Sequence, residues 1–203
     1  LSAASLHLMT NAPFFGALLY ATDVTLDESE NPLSCAWTDG DEIFFNLAVM
    51  QEVVDDITKK NAGTRSEKKV VFEALTVVII HELMHCMFIH VGRISNRNPL
   101  TWNLATDIAV NTLITHWFSH LHMPDIMLTN KVLPYNLKEG SAELIYEHLV
   151  KTAKIEKTGG GRAKVTMAGG KGNGVEQEEG IEFIVDLVSN PEKDSGEIED
   201  KWR

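Results

Sequence analysis

His81-Glu82-Leu83-Met84-His85 is the string in this chain whose residue types and spacing add up to a reaction. Residues four apart lie on one face of an α-helix, so both imidazoles can reach a single metal ion from about one turn apart. Neutral imidazole suits Zn²⁺, which at a catalytic site keeps one position open and lowers the pKa of bound water to about 7. Glu82, beside the first histidine, is then placed to take a proton from that water as general base. Five-residue strings of this kind also arise by chance in ordinary helices. Here the string lies in the apolar stretch Leu75–Val91, where two histidines and a glutamate would cost on the order of several kcal/mol to bury unless something engages them.

A third ligand is needed, and two residues compete for the place. On an intact helix His90 points about 140° away from His85 and 180° away from His81. HExxHxxGxxH proteins solve this with a glycine turn, but the matching position here is Phe88, and Gly92 comes too late. His90 is therefore expected to support a ligand or to sit in the core. Asp107 fits better. If the helix carrying His85 pairs as an antiparallel hairpin with the next one around residues 93–99, both residues stand about 11–12 Å from the turn. Asn103, Asp107 and Asn111 recur every four residues as one polar stripe in an apolar helix, with the two asparagines as supporting hydrogen-bond partners. His116, His120 and His122 form a second cluster without an adjacent carboxylate and are read as surface residues. Tyr135, Tyr146 or one of these histidines is a candidate to stabilise an oxyanion.

The elements that must carry these residues are legible from pattern. Thr64-Arg-Ser-Glu67 has capping-box spacing ahead of Val71, Leu75, Val78 and Ile79, which predicts a helix from about Arg65 to about Gly92. Pro99 suits the first turn of a second helix running toward Trp117. Ser141-Ala-Glu-Leu-Ile-Tyr-Glu-His-Leu-Val predicts a third. Residues 3–21 have helical spacing with a break near Pro13. Asp39-Gly40, between two β-prone runs, predicts a hairpin with a two-residue turn. Seven of the sixteen residues from Gly159 to Gly174 are glycine, which predicts a mobile loop matching neither GxGxxG nor a Walker motif. Glu176–Arg203 holds ten acids against three bases and reads as a solvated tail or the lead-in to a further domain. The expected organisation is thus a domain over 1–157, the glycine-rich loop over 158–175 and an acidic segment over 176–203. The chain starts without Met and stops at Lys-Trp-Arg, as a piece of a longer protein would.

Bulk properties narrow the function classes. At 203 residues and 44% hydrophobic content the chain can bury one sizeable core. A formal charge of −11 argues against nucleic acid as partner. Cys35 and Cys86 sit in apolar segments without CxxC spacing, so they read as core thiols of a reducing compartment. The first residues lack the features of a secretory signal, and a helix carrying His81, Glu82, His85 and His90 is a poor membrane span. A cytoplasmic protein is expected.

Thr38-Asp39-Gly40, the HELMH string with His90, Trp102-Asn103-x-Ala105-x-Asp107-x-x-x-Asn111 and Ser141-Ala-Glu-x-Ile-Tyr-Glu together resemble a metallopeptidase family often found beside a von Willebrand factor A-like domain in bacteria and phages. The resemblance spans about residues 8–150. It implies an α+β, mainly α, zincin-like fold in which the HExxH helix pairs with a second ligand-bearing helix beside a small β-hairpin or sheet. It also implies a Zn²⁺ cofactor on His81, His85 and Asp107, and a peptide or protein substrate. No von Willebrand factor A-like domain follows within these 203 residues, so a partner protein or an additional C-terminal domain is an open expectation. The competing readings are a non-catalytic structural or binding protein that keeps the zincin scaffold and its metal site, and a zinc hydrolase acting on something other than peptide. An intact Glu82 favours an enzyme, because a purely structural site needs no base.

Overall fold

The computed structural model describes residues 2–28, 34–63, 67–124, 127–133, 140–159, 162–167 and 180–185. The expected capping residues Thr64–Ser66, Tyr135, most of the glycine-rich stretch and most of the acidic segment lie outside these residues. The rest forms an α+β, mainly helical fold. Helices α1 (Ser2–Asn11) and α2 (Pro13–Ala21) are followed by strands β1 (Asp23–Leu26), β2 (Ala36–Thr38) and β3 (Glu42–Phe45) and helix α3 (Leu47–Lys60). Then come α4 (Glu67–Met87), α5 (Pro99–Trp117), a 3₁₀ turn at Asn130–Val132, α6 (Ala142–Thr152), β4 (Ala153–Gly159), β5 (Arg162–Met167) and β6 (Ile181–Ile184).

Local chemistry accounts for these boundaries. Pro13 opens α2 at its first turn, and α1 and α2 approach so closely that a Cβ on Gly16 would lie 2.6 Å from Met9 Cα. Asn98 caps α5 by accepting from Thr101 N–H at 3.1 Å, with Pro99 next to it. Ser141 caps α6. Asn46 accepts from Val49 N–H to cap α3, a helix not among the expected elements although Val49, Val53 and Ile57 follow helical spacing.

Two three-stranded sheets flank the helices, in the orders β1-β3-β2 and β4-β5-β6. The Asp39-Gly40 hairpin forms between β2 and β3, but four residues separate the paired Thr38 and Ile43 rather than two. Asp39 Oδ1 accepts from both Asp41 and Glu42 N–H, which holds the longer turn open, and Gly40 supplies the positive φ of 95°. β1 joins the other side of β3 in parallel.

The second sheet takes in two short runs of the stretches expected as a mobile loop and an acidic segment, the remainder of which lies outside the described residues. Within the glycine-rich stretch, Arg162–Met167 is a strand paired antiparallel to β4 and to β6. Ala163 and Val165 alternate inward while Arg162 and Lys164 point out, a period-2 pattern masked in sequence by the flanking glycines. Phe183, within the acidic segment, is 2% exposed.

Two apolar clusters result. The first packs α1, α2, β2 and β3 against α4 and the far end of α5; the second packs α6, β5 and β6 against the near half of α5. Ile43, Ile80, Leu83 and Ile108 are fully buried, each worth roughly 1.5–3 kcal/mol relative to exposure. Lys68–Met87 is long and apolar enough to cross a membrane, yet in this fold it is a central helix touched by α1, α2, α3, α5 and β2.

The turn from α4 to α5 is clamped by α6. Arg93 pairs with Glu143, the Tyr146 hydroxyl oxygen accepts from Asn98 N–H at 2.9 Å, and the Arg97 guanidinium lies 4.6 Å over Trp102. Burial works to raise the Glu143 pKa, but the Arg93 hydrogen bond and charge outweigh it and hold the carboxyl below its ordinary value. A depressed folded-state pKa stabilises above the unfolded value and fades as pH falls through the folded one. The stability gap between wild type and Glu143→Gln, from urea midpoints, is therefore expected to be present at pH 7 and to close as pH falls below about 4.5.

Candidate metal centre

α4 delivers His81, Glu82 and His85 one turn apart, and α5 delivers Asn103, Asp107 and Asn111 opposite them; all six are at most 6% exposed. The hairpin expected from helix heights brings His85 level with Asp107, with His85 Nε2 3.4 Å from Asp107 Oδ1. His81 Nε2 and His85 Nε2 lie 2.9 Å apart. One donor atom from each of His81, His85 and Asp107 falls within 4.8 Å of the others, so the three form a group that could hold a metal ion. Among the described residues His116, His120 and His122 form no such group; His116 and His120 are exposed and His122 is half-buried. Tyr146 is committed to the α5 turn.

Each of the three donors has its own hydrogen-bond partner. The Asn111 amide donates to Leu128 O at 2.9 Å, which turns its Oδ1 toward His81 Nδ1 at 2.8 Å. An amide oxygen only accepts, so His81 carries its proton on Nδ1 and presents a lone pair at Nε2. Asn103 Nδ2 donates to Asp107 Oδ2 at 2.7 Å, leaving Oδ1 on the side of the histidines. The partner of His85 is His90, at 3.1 Å between their Nδ1 atoms.

That last contact revises the reading of α4. The helix ends at Met87, short of the expected Gly92, because Ile89 adopts the left-handed conformation with φ 55°. Ile89 N–H bonds to Cys86 O, and His90 N–H reaches back to His85 O at 3.1 Å. These are the two bonds of a Schellman motif, which brings the second residue past the cap against the helix three positions before its end. Glycine usually fills the left-handed position; a β-branched residue there costs on the order of 1–2 kcal/mol, so no sequence signal announced the turn. The motif swings His90 beside His85, on the Nδ1 side away from Asp107. Trp102 Nε1 donates to His90 O at 2.8 Å and fixes the turn to α5. Burial, with the Arg93 charge adding to it, holds the His90 pKa well below the ordinary histidine value, so it stays neutral and able to accept.

The donor set fits a divalent metal. Ligands on a tetrahedral ion with bonds of about 2.0–2.1 Å stand roughly 3.3 Å apart, and the observed 2.9 and 3.4 Å lie on either side of that. Two neutral imidazoles with outward protons and one carboxylate suit zinc. A metal on His85 Nε2 would leave the His85 proton on Nδ1, where His90 Nδ1, 3.1 Å away, would accept its hydrogen bond.

The centre opens into a cleft. Besides His81, Glu82, Asp107 and Asn111, its walls are Ser34–Ala36 at the start of β2, Val53 of α3, Val78 of α4, Leu104, Pro124, Met127, Leu128 and Phe183 of β6. Cys35 lies in this wall and Cys86 packs 3.2 Å from Thr38 Oγ1; both are buried thiols. Replacing Asn111 or His90 with Ala should lower zinc affinity about 10- to 100-fold, measured by competition with a chromophoric chelator, while far-UV circular dichroism of the metal-free protein stays unchanged. Equal affinity in both variants would show these partners to be idle.

No curated protein and no solved structure matches the chain. Residues 68–199 match a known protein family; the match begins after the Thr38–Gly40 turn and runs beyond residue 150 through the strands of the second sheet. Because that match covers well over half of the chain, the protein belongs to the family described as "Putative metallopeptidase domain".

Proposed function

We propose that the protein is a zinc-dependent peptidase of the zincin kind, acting in the cytoplasm, with His81, His85 and Asp107 as metal ligands and Glu82 as general base. The observation that carries this reading is the buried grouping of His81, His85 and Asp107 between two core helices, with His81, Asp107 and Glu82 lining one cleft. A zinc ion held there supplies Lewis acidity toward a carbonyl oxygen and makes water acidic near neutral pH.

The chain's own residues account for the rest. Glu82, adjacent to His81 and facing the same cleft, takes a proton from the attacking water and returns it to the departing amine nitrogen. Asn111, Asn103 and His90 hold the ligands in the orientation that turns one donor atom of each toward the other two. The Ser34–Ala36 wall begins β2, an edge strand among the described residues. Cys35 O accepts from Asn46 N–H, so alternation along the strand turns the backbone groups of Ala36 away from β3, and Ala36 lines the cleft. An extended peptide can pair there and lie across the centre.

Purified protein is expected to hold about one zinc or substitute metal per chain by elemental analysis; a chelator-free preparation without metal would sink the proposal. Glu82→Gln should keep the metal and lose about 10²-fold or more of peptide hydrolysis, whereas Asp107→Ala should weaken the metal itself. If Glu82→Gln cleaves peptides as well as wild type, the assigned base is wrong.

A further inference from the structure

The walls of the cleft carry information on substrate that the ligands do not. Beyond the groups facing the centre, the cleft is lined by Val53 of α3, Val78 of α4, Leu104 of α5, Met127, Leu128 and Phe183. Among the described lining residues the only ionisable side chains of acid or base type are His81, Glu82 and Asp107, besides the Cys35 thiol. A glutamate side chain entering here would meet no cation, and a lysine would find carboxylates only at the centre itself, where Asp107 already accepts from Asn103; an apolar side chain escapes the cost of leaving water. Two of the walls are fixed relative to the centre. Leu128 is tied through its carbonyl to Asn111, which bonds His81, and Phe183 packs in the same apolar cluster as Leu104.

Resting on the peptidase reading above, we infer that this cleft is a subsite for one uncharged, apolar side chain of the substrate, with Phe183 and Leu104 as its specificity-determining wall. The inference runs against bulk electrostatics. A chain with a formal charge of −11 draws basic peptides by long-range attraction, so a preference for basic side chains would mean that the overall field, not the cleft, selects.

The test uses the zinc-loaded full chain and amino-acid hydroxamates bearing a Leu, Phe, Lys or Glu side chain, with acetohydroxamate as a probe that has none, each titrated by calorimetry. Leu or Phe probes should bind about 10-fold or more tighter than Lys and Glu probes. Phe183→Ala should shrink that gap and leave acetohydroxamate binding unchanged. Val53→Lys, at a half-buried position, keeps the test independent of whether Phe183→Ala folds, and should selectively improve the Glu probe. Equal affinity for all four side chains, or tightest binding of the Lys probe, overturns the subsite while acetohydroxamate binding leaves the metal reading standing. Failure of acetohydroxamate to bind protein that holds zinc overturns the open metal centre, and the subsite with it.

Discussion

Seven polar side chains, His81, Glu82, His85, His90, Asn103, Asp107 and Asn111, are buried between α4 and α5. In an apolar interior a polar group without a partner costs on the order of 1–3 kcal/mol, so the two helices can pack only in a register that lets these groups serve one another. This mutual satisfaction governs the architecture around it. It explains why Asn111 must reach Leu128, why Asn103 sits one turn before Asp107, and why the chain turns sharply enough after Met87 for His90 to meet His85. The clamp of Arg93, Arg97, Trp102, Glu143 and Tyr146 then holds that turn from outside.

Much of this register was legible from spacing alone. The four-residue repeats of His81 and His85 and of Asn103, Asp107 and Asn111 prescribe facing stripes, and Pro99 marks where the second helix starts. The metal group and its two asparagine supports follow from those facts. His90 shows where pattern reading stops. Helical periodicity assigns it to the far side, and only the left-handed Ile89, a conformation its side chain disfavours, reverses that assignment. The three-stranded C-terminal sheet was hidden for a different reason. Glycine-rich flanks drown the alternation of Arg162–Met167, and the burial of Phe183 depends on tertiary contacts with α5 that composition does not encode.

Helix α5 is shared property. Val110 and Ile114 complete the first apolar cluster, while Leu104, Ala105 and Ile108 belong to the second. The candidate centre lies along the seam between the two, where the helix's polar stripe separates its apolar contacts. That placement lets a cleft with apolar walls open directly onto charged chemistry without either cluster being breached.

The boundary of the family match and the boundary of the folded unit do not coincide. Residues 68–199 contain the ligands, yet Ala4, Leu8, Phe15, Ile43 and Phe45 lie before that interval and belong to the same apolar cluster as Val77, Ile80 and Met84 of α4. A fragment trimmed to the matched interval would leave one side of α4 bare, with an apolar surface seeking another chain. The minimal unit that carries this centre in solution therefore has to be drawn by the packing of α4, starting from α1, rather than by the interval that identifies the family.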